Sequence, residues 1–261
     1  MMIPKKIHYF WIGGNPKPES VLFCIDSWRK YCPDYEIIEW NETNYDFSKN
    51  EYMRQAYKAK KWAFVTDYAR LDVVFQYGGI YLDTDVELIK PWDSLLKYRG
   101  FMGFDQTTEK DHFVATGLGF GMEPGNQLLR EMMADYENVK CPGENGVIKY
   151  IPCPYLNTQV LRRHGLENED RDQMVQNIMI FASDVFCPKS YNTLRLRTTE
   201  RTLSIHHFDG TWQDSKGKRR HRVTTVINHL FGEKKGSRID KGLGNIEYCV
   251  QAAKGKLKRK K

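Results

Sequence analysis

The chain opens on an alternating run. From Ile3 to Ile12, Ile7, Tyr9 and Trp11 fall on one parity and His8, Phe10 and Ile12 on the other, which predicts a buried strand ending at Gly13 and Gly14. Ser20 to Tyr31 carries Val21, Leu22, Ile25 and Trp28 at helical spacing, and Tyr35 to Trp40, after Pro33, predicts a second short strand. Strand, helix, strand is the alternation of an α/β domain with a mainly parallel sheet, whose ligands sit beyond the carboxyl ends of the strands. The helical period is clearest from Trp62 to Tyr77, where Phe64, Tyr68, Leu71 and Phe75 recur every three or four residues, and Gly78 and Gly79 stand where a left-handed cap would end the helix. Ile80, Tyr81 and Leu82 then predict a short buried strand that delivers Asp83, Thr84 and Asp85 at its end, before Val86 to Ile89 runs on to Pro91.

Further on, a Gly-rich stretch from Gly100 to Gly121 precedes a predicted helix from Asn126 to Tyr136 and a connection through Pro142, Pro152 and Pro154. A helix from Asn157 to Arg163, strands at Ile178 to Phe181 and Thr202 to Phe208, and an amphipathic helix near Val223 to Leu230 complete the pattern. The expected organisation is one domain over residues 1–250, in two halves (1–125 and 126–250), followed by a basic tail (251–261).

Composition narrows the function. The 261 residues are 41% hydrophobic, enough for an ordinary core. Of the net charge of +7, six positive charges come from the tail residues Lys254, Lys256, Lys258, Arg259, Lys260 and Lys261, so the body is close to neutral. That argues against nucleic acid as a partner, and suits either peripheral contact with an anionic membrane or a plain disordered end. The six cysteines are scattered without a CxxC pair, which argues against structural zinc. With no secretory signal at the start, the expected location is a reducing cytoplasm, at most peripheral at the inner face of the membrane. No segment approaches the ~18 consecutive apolar residues of a membrane span.

Two aspartates one residue apart at the mouth of a sheet repel one another unless solvent or a cation neutralises them, and a hard divalent ion is their natural partner. An isolated Asp-x-Asp is more often a solvated turn, and context decides. The run Ala63, Phe64, Val65, Thr66, Asp67, Tyr68, Ala69, Arg70, leading into Tyr77, Gly78, Gly79, Ile80, Tyr81, Leu82, Asp83, Thr84 and Asp85, resembles the DxD glycosyltransferases with a sugar-binding region, glycosyltransferase family 32. That family includes mannosyltransferases, bacterial capsule and lipopolysaccharide enzymes, and relatives of the clostridial glucosylating toxins. Ile3 to Gly13, then Ser27, Trp28, Pro33, Tyr35 and Trp40, resemble the family's opening, and His206, His207 and Trp212 its closing element.

The resemblance implies a GT-A fold, an α/β nucleotide-binding half abutting a more variable acceptor half. It implies that a sugar moves from a nucleotide-diphosphate sugar, a UDP-sugar in preference, to a glycan or lipid-linked glycan in bacterial polysaccharide or lipopolysaccharide assembly, with retention of configuration. Trp11 stacks on the base, with Ile12 beside it, and Asp67 and Arg70 contact the donor from one helix face, although their spacing also fits an intrahelical ion pair. Tyr81 and Thr84 line the same pocket. Asp85 is the expected direct metal ligand, Asp83 is shared between ribose, sugar and metal, and His207 is a further ligand by its distance from Trp212, with His206 turned away into packing. A carboxylate and imidazole set fits Mn2+ best, with Mg2+ as the other candidate. Trp212 closes over the donor. Tyr155, Asn157, Thr158 and Gln159 fit either acceptor contacts or a plain helix start capped by Asn157.

Three other readings compete. A haloacid-dehalogenase-type phosphotransferase also places Asp-x-Asp after a strand, but Glu87 occupies the position where such enzymes carry Thr or Val. A toxin-like protein glycosyltransferase and an inactive nucleotide-sugar-binding protein both share the pocket, and only turnover and acceptor chemistry separate them.

Overall fold

The structure is a computed structural model that describes residues 2–106, 111–137, 139, 151–209, 223–229 and 232. The described residues of Met1–Lys189 and Arg197–Trp212 make one compact unit, and those of Ser190–Leu196 and Gln213–Lys261 a second.

The first unit is built on a seven-stranded sheet of order β2-β1-β3-β6-β5-β8-β7. Its strands are β1 (Lys6–Phe10), β2 (Glu36–Trp40), β3 (Gly79–Tyr81), β5 (Gly100–Gly103), β6 (Phe120–Met122), β7 (Gln173–Val175) and β8 (Ile178–Phe181). β1 pairs in parallel with both β2 and β3, and β5 with β8, while β6 and β7 run against their neighbours, so five of the seven strands point the same way. This is the expected α/β class with a mainly parallel sheet. A separate two-stranded ribbon joins β4 (Val86–Leu88) to β9 (Ser204–His206).

Helices cover both faces of the sheet, and β1 shows why. Ile7 and Tyr9 turn to one side, into a core shared with Val21, Cys24, Ile25 and Trp28 of α1 (Glu19–Tyr31). Phe10 and Ile12 turn to the other, against Val65, Ala69, Leu71 and Val73 of α3 (Trp62–Tyr77) and residues of α2 (Glu51–Lys58), α4 (Gln127–Glu137) and α5 (Cys153–Arg163). A short α6 (Ser183–Phe186) completes the unit. Alternation along a strand with period two thus feeds two cores at once.

Helix α3 has the bounds its periodicity predicts and ends at Gly78, whose φ of 62° is left-handed. A Cβ there would also lie 2.7 Å from Pro124 and 2.8 Å from Pro4, so both backbone and packing require glycine. Buried His8 fixes the same turn. Its Nε2–H donates to Gly78 O at 2.8 Å, while Nδ1 accepts from Trp40 Nε1 at 3.1 Å. The chain then enters β3 and reaches the acid pair. Helix α5 starts a turn before the expected Asn157, at Cys153, with Pro154 in its first turn, where proline has no bond to break. Asn157 therefore lies inside the helix and does not cap it.

In the second unit, residues 223–229 are helical, as the amphipathic pattern predicts. Asn228 Nδ2 donates to Asn192 O at 3.2 Å and Arg195 Nη2 to His229 O at 2.9 Å. Trp212 and the basic tail from Lys254 to Lys261 lie outside the described residues. No helix among those described is long and apolar enough to cross a membrane.

Candidate functional site

The acid pair occupies the turn between β3 and β4, closed by Val86 N–H donating to Asp83 O at 3.1 Å. Thr84, half-buried, separates the two aspartates. Although they are neighbours in sequence, each belongs to a different network.

Asp83 faces inward. Tyr81 donates its hydroxyl to Asp83 Oδ1 at 2.8 Å, and Arg70 Nη2 lies 3.3 Å from the same oxygen. Arg70, 3% exposed, is fixed in turn: Nε donates to Thr66 O at 2.9 Å, Nη2 to Thr66 Oγ1 at 2.9 Å, and Asp67 Oδ1 sits 3.3 Å away. The guanidinium also rests over the Tyr81 ring at 5.1 Å. Of the two readings of the Asp67–Arg70 spacing, the intrahelical pair forms, and its arginine reaches the acid motif. Burial raises the Asp67 carboxyl to about 6 against the pull of Arg70. Burial likewise raises Asp83, with Arg70 opposing and Asp85 adding to the rise. Tyr81, also buried, is held well above its ordinary value and remains a hydrogen-bond donor. It serves as the scaffold of Asp83 from within the core.

Asp85 faces the ribbon. His206 Nε2 lies 3.2 Å from Asp85 Oδ1, and the Asp209 backbone N–H donates to Asp85 Oδ2 at 3.0 Å. Burial alone would raise Asp85, yet the charge and hydrogen bond of His206 and the Asp209 amide bring it down to about 2. His206 moves the opposite way: burial lowers it, and Asp85 more than compensates, so it rises above its ordinary value. Phe208 bends the chain between them. Its φ of 60° is left-handed, a costly conformation for a bulky residue, and its ring meets His206 edge-on at 4.3 Å. That bend lets the Asp209 amide reach back to Asp85.

The expected histidine is corrected here. His207 pairs with Glu87, Nε2 to Oε2 at 2.9 Å, and His206 faces the acid motif. β9 pairs with β4 antiparallel, Glu87 opposite Ile205, so the odd-numbered side chains, Ile205 of β9 and His207 just after it, share the face of Glu87. Asp85 stands in the turn before β4, outside the strand's alternation, and its carboxylate meets His206 on the other face. Asp83, Asp85 and His206 each offer a ligand atom, all within 4.8 Å of one another. Two carboxylates and an imidazole fit a divalent cation such as Mn2+.

Of the other expected donor contacts, Trp11 is half-buried at the end of β1, its Nε1–H donating to Asn15 O at 2.6 Å and Lys17 Nζ lying 5.8 Å from its ring. Ile12 turns its side chain into the core beside α3. Sequence reasoning missed Phe208, whose backbone angle has no sequence cue, and Cys153, whose sulfur lies 3.9 Å from Arg70 Nη1.

Parts of the chain are similar to known proteins. Residues 18–102, which contain Asp67, Arg70, Asp83 and Asp85, match the glycosyltransferase sugar-binding region containing the DXD motif. Inositol phosphoceramide mannosyltransferase 3 of Schizosaccharomyces pombe is 33% identical over 104 residues, 37% of this chain and 28% of that protein. The human alpha-1,4-N-acetylglucosaminyltransferase is 25% identical over 225 residues, 80% of this chain and 58% of that one. Among solved structures, the PaToxG glycosyltransferase aligns with a TM-score of 0.48 at 23% identity, over 62% of this chain and 70% of that one. The chain thus spans less than two thirds of the length of either curated relative. Residues 18–102, with both acids of the motif, are thus similar to the glycosyltransferase sugar-binding region that contains a DXD motif.

Proposed function

We propose that this chain transfers a sugar from a nucleotide-diphosphate donor, a UDP-sugar in preference, to a glycan or lipid-linked glycan, with retention of configuration and with a divalent cation, Mn2+ before Mg2+. The observation that carries the proposal is the convergence of Asp83, Asp85 and His206 at one point, backed by a buried arginine. The curated relatives support it by their names, which are those of sugar transferases.

Asp85 and His206 would hold the ion from the ribbon side and Asp83 from the core side. When bound, the cation neutralises charge on the departing diphosphate as a Lewis acid. The protein's own contribution is to keep the carboxylates in place before the donor arrives. Tyr81 and Arg70 anchor Asp83, and the Asp209 amide anchors Asp85. Trp11, at the end of β1, offers an aromatic face for the base. We assign the work to bacterial polysaccharide or lipopolysaccharide assembly in the cytoplasm, with the Lys254–Lys261 tail giving salt-dependent contact with an anionic membrane.

Release of nucleoside diphosphate in the presence of excess chelator, with and without restored Mn2+, tests the reading. The expected loss on chelation is at least about 100-fold. Undiminished turnover would overturn the metal's role, and tighter calorimetric binding of GDP than UDP would overturn the preferred base.

A further inference from the structure

Asp83 is held from a third side, by a residue with no side chain. Gly117 lies in the 3-10 turn Thr116–Leu118, and a Cβ on it would overlap Asp83 Oδ2 and sit 3.1 Å from Arg70 Nη1. Its φ is not left-handed, so the backbone would accept other residues, and only the approach to the carboxylate requires glycine. Tyr81 and Arg70 hold one oxygen of Asp83, while the backbone of this turn backs the other.

The turn is fixed by α5. Asn157 Nδ2 donates to Thr116 Oγ1 at 3.1 Å, and Thr158 Oγ1 accepts from Val114 N–H at 2.8 Å. Asn157, Thr158 and Thr116 are all fully buried. At the other edge of the segment, Ala115 N–H donates to Gly103 O at 3.2 Å, which ties it to β5. Consecutive residues of one helix thus grip the chain just before Gly117, through Asn157 Nδ2 and Thr158 Oγ1, while Asn157 Oδ1 has no hydrogen-bond partner among the described residues.

We propose that Gly117, pressed home by Asn157 and Thr158 of α5, is a positioning residue that sets the orientation of the Asp83 carboxylate, coupling α5 to the metal-binding acid pair. The proposal rests on the reading of Asp83 as part of a cation and donor site, and its test keeps the two apart.

The experiment uses the full chain with Mn2+ as the probe, free ion being followed by electron paramagnetic resonance, alongside donor-hydrolysis kinetics and guanidinium unfolding. In folded Gly117→Ala the carboxylate has to move. A fall in kcat of about 100-fold is expected, with donor KM changing by less than about threefold, because displacement of a reacting group by about 1 Å costs that much. Mn2+ affinity should weaken by about tenfold, as when a partner that orients a ligand is lost. Asn157→Ala should shift both readouts in the same direction by less. The double variant should be no worse than Gly117→Ala, since a turn no longer held by Asn157 can retreat from the added methyl. Wild-type kcat and Mn2+ affinity in folded Gly117→Ala, or strictly additive losses in the double variant, would overturn the proposal while leaving the metal site standing. If Gly117→Ala does not fold, unchanged Mn2+ affinity and kcat in both Asn157→Ala and Thr116→Val would overturn it. A wild-type chain that binds no Mn2+ would remove the functional reading, and this inference with it.

Discussion

Asp83 and Asp85 are one residue apart and sit in opposite kinds of surroundings. Asp83 belongs to α3 and the core: its partners are Arg70 and Tyr81, both buried, and behind them stand Thr66 and Asp67. Asp85 belongs to the β4–β9 ribbon: its partners are an imidazole and one backbone amide. The surroundings drive the two carboxyls apart, Asp83 upward and Asp85 down to about 2. The difference teaches a division of labour. Asp83 is anchored by buried side chains of the core, whereas Asp85, whose side chain is 17% exposed against 27% for Asp83, is anchored by the ribbon.

The sharpest way to break this comparison is Arg70→Met. Two buried or half-buried carboxylates would lose their shared cation, and a cost of about 3–5 kcal/mol in unfolding free energy is expected. A guanidinium midpoint at the wild-type value would show that the core network carries no structural load. Asp85→Asn comes next. It should remove about 3 kcal/mol of transition-state stabilisation, read as kcat, while the unfolding midpoint stays within about 1 kcal/mol of wild type. Near-normal turnover would contradict the ribbon half's role. The finest test sets the two histidines against each other. His206→Ala should weaken Mn2+ binding by about 10–100-fold, whereas His207→Ala, which loses only a half-exposed contact with Glu87, should change it by less than about threefold. The reverse order would restore His207 as the ligand.

The same division decides what could be read from the chain alone. Helix α3, the strand after it and the acid pair at its end are local: a period, a left-handed glycine and a short apolar run are consecutive in sequence and need no partner to be recognised. Helix α5 was legible except at its start, where Pro154 reads as a connection but occupies a first-turn position that tolerates it. Helix α2 left one local cue, Asn50 accepting from Met53 N–H at its N-terminus, within a polar stretch that suggests a loop. The histidine was misassigned because its partner is set by two things that only the fold decides: the pairing of β9 with β4, more than a hundred residues earlier, and the turn that takes the Asp85 carboxylate out of the alternation of β4. Strands β5 and β6 lay hidden in the Gly-rich stretch for a similar reason. Gly103 and Gly121 make room for Phe186 and Phe101, and the need for that room is visible only once the sheet is assembled.

His8 gives the fold a sensitivity to acid that does not depend on the acid pair. Its ring donates to Gly78 and accepts from Trp40, an arrangement available only to the neutral tautomer, since a proton on Nδ1 would point at the indole N–H. Burial, above all, lowers its pKa from 6.5 to about 4. Between those values the unfolded chain takes up a proton that the folded chain refuses, so stability falls as pH falls, by about 2–3 kcal/mol between about pH 7 and about pH 4.5. Guanidinium midpoints at the two pH values should show this decline in the wild type, and His8→Gln should lack that share of it; equal slopes in the two proteins would count against it. The chain that enters β3, and with it the turn that presents both aspartates, thus hangs from a ring that has to stay uncharged.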